Sequence, residues 1–401
     1  MASVKKRRWT HNGTQGEAWV VRYHDRAGVH RSKQFERKKQ ADDFRRQVEN
    51  ELDAGTHVAQ RESRTVADLI EEFRLDVDRR HDDGRVGRGY VEVCRTNLRY
   101  VAMDLGGILL RDLRWQDVER MYHGLARHVT RFGRSLTPRS KRNILTLFGT
   151  VVAYGVRRGY AARNVVPDAL REIGAAKPAA IDTFDRDEIK RLLLALEQRV
   201  PGSQLRPQLQ LKAMVYLATV CGLRRGEILG LTRDHFDFER GVVHVRQALD
   251  AWDGVKAPKT MAGVRDVPMP SPVAQVVQAY ADVAELDGRG LLFRGRKGAP
   301  FYAASFNKIW HSLLLRAGFP PKRDGDWRHF HALRHFAGSA WLASGVPLAE
   351  VSKLMGHAHV GVTAEIYSHA IVGTLERSAE IGRAAGLFLP APVTQDLRKA
   401  A

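Results

Sequence analysis

Cysteine is nearly absent: Cys94 and Cys221 are the whole complement of a 401-residue chain. Far apart in sequence and without partners at metal-ligand spacing, they indicate neither a disulfide framework nor a zinc site, and both read as small core residues. No run of about 18 uncharged apolar residues occurs, so no membrane-spanning helix is expected. The opening Met1-Ala-Ser-Val-Lys-Lys-Arg-Arg8 lacks the apolar stretch of a secretory signal, and the expected location is the cytoplasm. Acidic residues are the minority, 45 Asp and Glu against 65 Lys and Arg, for a formal net charge of +20. That excess favours a polyanionic partner, and nucleic acid fits best. Also missing are an ATPase-type Gly-rich phosphate loop, a His-Glu-x-x-His site and an acidic metal cluster, so no metal or other cofactor is expected.

What is present is enough apolar material, 44% of residues, to bury real cores, and a length that predicts two or three domains. Around Ala18-Trp-Val-Val-Arg-Tyr23 apolar and polar residues alternate, Asp25-Arg-Ala-Gly28 supplies a turn, and Lys38 to Leu52 has helical periodicity. This predicts a small sheet-plus-helix module over residues 1–58. Its first 46 residues hold thirteen basic and five acidic side chains, a net of +8, which suits phosphate contact. Thr65-Val-Ala-Asp68 reads as a capping box opening a helix through Val77, after which Arg79-Arg-His-Asp-Asp-Gly-Arg85 breaks the periodicity. Tyr90–Val101, Trp115–Ala126 and Pro138–Arg158 complete an all-α unit of about four helices over 64–170. A small-residue linker follows between Ile173 and Asp182. Beyond it the periodicity predicts a mixed α and β unit over 181–388. Its helices are Asp185–Glu197, Gln208–Val220, Ser305–Arg316, His331–Ala343 and Leu348–Met355, and its short strands Val242–Gln247 and Val264–Pro268. The fold class is thus multidomain and mainly α.

Three segments of the last unit carry chemistry-bearing residues. Cys221-Gly-Leu-Arg-Arg-Gly-Glu227 is a tight basic turn that suits an anion, although a turn with two arginines is commonly a solvated corner. In His331-Ala-Leu-Arg-His335 the spacing sets an imidazole beside a cation on one helical face; a partly buried histidine satisfied by backbone is the plainer alternative. Leu354-Met-Gly-His357 is followed ten residues later by Tyr367, and a lone Tyr at helical spacing is usually core.

In this order Gly222-Leu-Arg-Arg-Gly-Glu227, a hairpin lysine, His331-x-x-Arg334, Gly356-His357 and Tyr367 resemble the tyrosine recombinase (phage integrase) family. The resemblance covers residues 180–388 most closely. Residues 65–170 are similar in character to the family's core-type DNA-binding domain, and residues 1–58 look like the arm-binding module of many integrases. It implies a site-specific integrase that cuts and rejoins double-stranded DNA at attachment sites through a covalent 3′-phosphotyrosine, integrating and excising a phage or other mobile element. The chemistry accounts for the residue types. A phenol with a pKa near 10 is only about one part in a thousand ionised at pH 7, so attack on a phosphodiester needs a base and relief of charge. By the resemblance Tyr367 is the nucleophile, and Arg224 and Arg334 grip the non-bridging oxygens. His331 and His357 handle protons, with His331 the base toward Tyr367.

The departing 5′-oxygen needs an acid. Lys259, followed by Thr260 and a Gly-containing turn, matches the family's hairpin lysine, with Lys256 the alternative register. Glu227 would hold the arginine and nearby backbone, or else be a surface acid at a helix start; His329 and His335 are left unassigned. In the arm module Lys5, Lys6, Arg7 and Arg8 would meet DNA phosphates. Exchange of four strands implies a homotetramer on DNA, with Ile371–Leu387 docking on a neighbour or on its own domain. A directionality factor and a DNA-bending protein are further partners of such a system. A dimer-resolution recombinase, a type IB topoisomerase and a catalytically silent DNA-binding regulator are the competing readings. The extra N-terminal module tells against the first and the complete residue set against the last, while relaxation of plain supercoiled DNA without a specific site would favour the topoisomerase.

Overall fold

The computed structural model describes residues 2–11, 14–25, 28–53, 64–130, 133–175, 183–198, 204–250, 254–258, 260–284, 290–295, 301, 303–321 and 327–367. The chain divides into two compact units, Met1–Pro178 and Ala179–Ala401. In the first, the alternating segment forms strands β1 (Ser3–His11), β2 (Thr14–His24) and β3 (His30–Phe35), an antiparallel sheet in that order. Gly28, at φ +76°, makes the turn into β3 that a side chain would strain. Val21 and Tyr23 bury one face of the sheet against Ala41 and Val48 of helix α1 (Lys38–Asp53).

A separate core, with Leu69, Phe73, Leu98, Phe148 and Val151 at its centre, joins α2 (Val66–Asp82), α3 (Arg88–Leu105), α4 (Trp115–Gly124), α5 (Pro138–Arg157) and α6 (Val166–Ile173). The expected capping box is present: Asp68 N–H donates to Thr65 Oγ1 (3.1 Å) and Thr65 N–H to the Asp68 carboxylate (3.1 Å). Helix α2 continues past Val77 to Asp82, because Arg79, Arg80 and His81 in its last turn complement the helix dipole; the break comes at Gly84, φ +71°. The unit also has one helix more than expected, the eight-residue α6.

The second unit contains α7 (Arg186–Glu197), α8 (Leu205–Thr219) and α9 (Arg225–Leu229), then β4 (Phe236–Asp237), β5 (Val242–Val245), β6 (Ala248–Asp250), β7 (Gly254–Lys256) and β8 (Arg265–Pro268). Helices α10 (Ser271–Val283), α11 (Ala303–Arg316), α12 (His331–Ala343), α13 (Leu348–Met355) and α14 (Val360–Tyr367) follow. Strands β4, β5 and β8 make one antiparallel sheet, and β6 with β7 a separate hairpin. Helix α8 packs on both α10 and α12, and its residues Leu211, Met214, Val215, Leu217 and Ala218 bury nearly its whole circumference. Both cysteines are free and buried in the two larger cores. Among the described residues no helix is long and apolar enough to cross a membrane. Lys259 lies outside the described residues, as do 54–57, linker residues 176–182 and Ile371–Leu387.

Candidate active site

Two glycines shape the site before any charged group enters it. Gly222 (φ +62°) turns the chain out of α8, and a Cβ there would stand 3.0 Å from both Met355 and Trp341. Gly356 (φ +62°) ends α13 in the left-handed conformation, and a Cβ would reach within 2.9 Å of the Arg265 guanidinium. A larger residue would be strained at either turn and crowded as well.

The buried guanidinium of Arg334, on α12, bridges these turns. Its Nη1 donates to the Gly222 carbonyl (2.5 Å) and its Nη2 to the carbonyl of Met355. Only 1% of the residue is exposed, so these acceptors, with Glu227 at 4.0 Å, replace the water that a cation needs. Burial, then the charge of Arg224, lowers its pKa to about 9; the group remains a cation at neutral pH. Arg224 precedes α9. Its Nη1 donates to Glu227 Oε1 (2.8 Å), its Nη2 to the Gly356 carbonyl (3.3 Å) and its backbone N–H to Glu227 Oε2 (2.8 Å). With 38% of its side chain exposed, Arg224 is partly open to solvent.

Glu227 is no surface acid. It is buried, and Arg265 of β8 holds it by two parallel bonds, Nη1 to Oε1 (3.0 Å) and Nη2 to Oε2 (2.9 Å). Burial pushes the Glu227 carboxyl up, but the bonds and charge of Arg265, joined by the charges of Arg334 and Arg224, outweigh it and bring the pKa to about 2.

His357 follows Gly356 and stands between Arg334 and α14. The Nη2 of Arg334 lies 3.3 Å from its Nε2, and its Nδ1 lies 2.8 Å from Thr363 Oγ1. Because arginine can only donate, Nε2 is the acceptor and the proton sits on Nδ1, which donates to the threonine. His331, one helical turn before Arg334 and His335, is open to solvent on one side, and its ring meets that of His335 edge-on at 4.8 Å. Crowding by protein atoms presses both pKa values down to about 4, helped most by His335 for His331 and by Arg334 for His357. Both imidazoles are therefore neutral at pH 7 and able to accept a proton.

Tyr367 ends α14 and is 1% exposed, packed among Ala337, Leu342, Val351 and Met355. Its ring stands on Gly338 of α12, where a Cβ would lie 2.5 Å from Cζ and 2.7 Å from the hydroxyl oxygen. The ring of His335 is 6.1 Å away. Burial raises the phenol's pKa, and the charges of Arg334 and Arg224 pull against that rise.

Of the six residues expected to form the site, Arg334 and His357 are in direct contact, and Arg224 joins them through Glu227 and the Gly356 carbonyl. His331 and Tyr367 share the electrostatic field of the two arginines. Lys256 ends β7 on the exposed surface. Lys5, Lys6, Arg7 and Arg8 are exposed on β1 of the other unit, where Glu17 engages two of them, Lys6 at 2.8 Å and Arg8 at 3.5 Å. Sequence reasoning missed Arg265, Thr363 and Gly338. For Arg265 a signal existed: in a strand Arg265 and Val267 share a face, and Val267 belongs in a core.

Residues 182–372 match the model of the phage integrase family. A tyrosine recombinase, XerC-like, of Caldanaerobacter subterraneus subsp. tengcongensis is 28% identical over 299 residues, which is 67% of this chain and 70% of that protein. Among solved structures, the Tn1549 transposon integrase in complex with a circular intermediate DNA superposes with a TM-score of 0.65 at 19% identity, covering 80% of this chain and 99% of the other. A lambda integrase tetramer bound to a Holliday junction gives 0.55 at 15% identity, covering 88% and 95%. At those identities the two structures speak for the fold.

Proposed function

The chain belongs to the phage integrase family of tyrosine recombinases, and from that premise we propose that it is a site-specific integrase of a phage or other mobile element, joining DNA through a 3′-phosphotyrosine on Tyr367. The observation that carries the reading is the cradle itself: two guanidiniums fixed by backbone carbonyls and a buried carboxylate, beside two neutral imidazoles and the buried phenol. In this reading the solvent-facing part of Arg224 and the mouth of the Arg334 site take the non-bridging oxygens of one phosphodiester. The Tyr367 oxygen attacks phosphorus while its proton passes to His331. The bond from phosphorus to the 5′-oxygen breaks, and that oxygen takes a proton from Lys259. His357 accepts from Arg334 in the free protein, so to donate to a phosphate oxygen it must gain a proton. The phosphate's negative charge, set against the arginines that depress its pKa, favours that gain.

The partner is double-stranded DNA, and the working assembly a homotetramer on a four-way junction, supported by the junction-bound tetramer of the lambda relative. The sheet-and-helix module Ser3–Asp53 favours an integrase over a dimer-resolving enzyme. The test is Tyr367→Phe on a nicked duplex copied from the element's junction. Binding should stay within about threefold of wild type, while the detergent-resistant protein–DNA adduct disappears from denaturing gels. An adduct at normal yield would assign the nucleophile elsewhere.

A further inference from the structure

We propose that Arg265 is a positioning residue for DNA cleavage, holding Arg224 in its working place through Glu227. The inference rests on the recombinase reading above and adds a residue to it. Arg265 opens β8 with 4% of its side chain exposed, too deep to touch a DNA phosphate. Four of its five N–H donors are nonetheless engaged: the fork takes both oxygens of Glu227, Nη1 also reaches the Gly263 carbonyl (3.2 Å), and Nε donates to the Leu354 carbonyl (2.6 Å). One planar group thus ties the acid of α9, the last turn of α13 and the base of the segment in which Lys259 is expected. Gly356 lies directly against it.

The remaining capacity of the Glu227 carboxylate goes to Arg224, through Nη1 and the backbone N–H. The position of the Arg224 guanidinium is therefore set by a carboxylate whose own position is set by Arg265. Take Arg265 away and Glu227 becomes a buried carboxylate with Arg224 as its nearest full partner. It then draws that guanidinium inward, away from a phosphate, or takes up a proton and releases it. Either way the charge offered to the phosphate is displaced. Lysine has the charge but not the fork, so it cannot grip both oxygens and two carbonyls in one plane.

The experiment measures single-turnover adduct formation by the full-length protein on a nicked duplex copied from the element's junction. Wild type, Arg265→Met, Arg265→Lys, Arg224→Ala and the double variant Arg265→Met with Glu227→Gln are compared. Each is run on the natural phosphodiester and on a duplex whose scissile phosphate is a methylphosphonate. There a neutral methyl replaces one charged oxygen, so less guanidinium charge is required. On the phosphodiester Arg265→Met and Arg265→Lys should both lose roughly a hundredfold in rate with duplex affinity little changed, as expected when a charge-stabilising donor is misplaced. On the methylphosphonate the deficit should shrink for Arg265→Met as it does for Arg224→Ala. The double variant removes the stranded carboxylate, so it should regain melting temperature lost by Arg265→Met without regaining rate. A deficit equal on both substrates, full activity in Arg265→Lys, or recovery of rate together with stability in the double variant would reduce Arg265 to fold support. If wild type itself forms no adduct on the phosphodiester, the recombinase reading falls and this inference with it.

Discussion

Neutral histidines packed beside guanidiniums make the site sensitive to acid. His331 and His357 have pKa values of about 4 against an ordinary 6.5, and Glu227 about 2 against 4.5. In each case the unfolded chain binds protons more readily than the folded one, so stability rises with pH wherever the two differ in protons bound. The contribution is complete above pH 6.5 and declines from there toward 4 through the two histidines. It declines again from 4.5 toward 2 through Glu227. A series of melting temperatures read at falling pH should therefore begin to drop below about 6.5, and His357→Gln should flatten the upper part of that drop. A wild-type curve level between pH 6.5 and 4 would mean that the histidines titrate normally in the folded protein. The same residues show what a single sequence makes legible. Arg224, His331, Arg334, His357 and Tyr367 were singled out because their order and spacing form a pattern. Arg265 belongs to no such pattern; its importance comes from burial against Glu227, thirty-eight positions away in the chain.

At the level of elements, periodicity identified most of the helices that bury one continuous stripe. It missed α10, although Val273, Val277, Tyr280 and Ala281 line one face of it, and it missed short elements whose reasons are local. Helix α6 has eight residues with a proline in its first turn, too short for a repeat to declare itself. Strands β6 and β7 have three residues each and, among the described residues, pair only with one another. Helix α8 begins at Leu205, earlier than the expected Gln208, because Pro207 falls in the first turn, where no intrahelical bond from its nitrogen is required. The cap of α2 was readable because it is chemical rather than periodic, a threonine and an aspartate three positions apart. Thr65→Ala should lower the unfolding free energy of the helical unit by about 1 kcal/mol. Thr65→Ser, which keeps the oxygen, should cost much less. Denaturant titration followed by circular dichroism distinguishes these outcomes, and equal losses for the two variants would remove the cap from the account.

For the whole molecule the net charge of +20 is unevenly placed, with +8 in the first 46 residues. If those residues track an arm of DNA, removing residues 1–58 should flatten the dependence of log K on log salt by about 0.9 for each phosphate that is no longer neutralised, leaving cleavage at the core site intact. Because Glu17 already engages Lys6 and Arg8, the four cations of β1 should neutralise fewer than four phosphates. A slope unchanged by truncation would detach the module from DNA altogether. The architecture was legible because the order of sheet, helices and mixed unit is written in composition and period, whereas the way turns converge on a site is not. Arg334 rests on the carbonyls of Gly222 and Met355, Arg224 on that of Gly356, and Arg265 on those of Leu354 and Gly263. Every amino acid carries a carbonyl. A lineage can therefore exchange most of the side chains around these three cations and still hand down the same cradle, provided that the two left-handed glycines and the one acid are inherited with them.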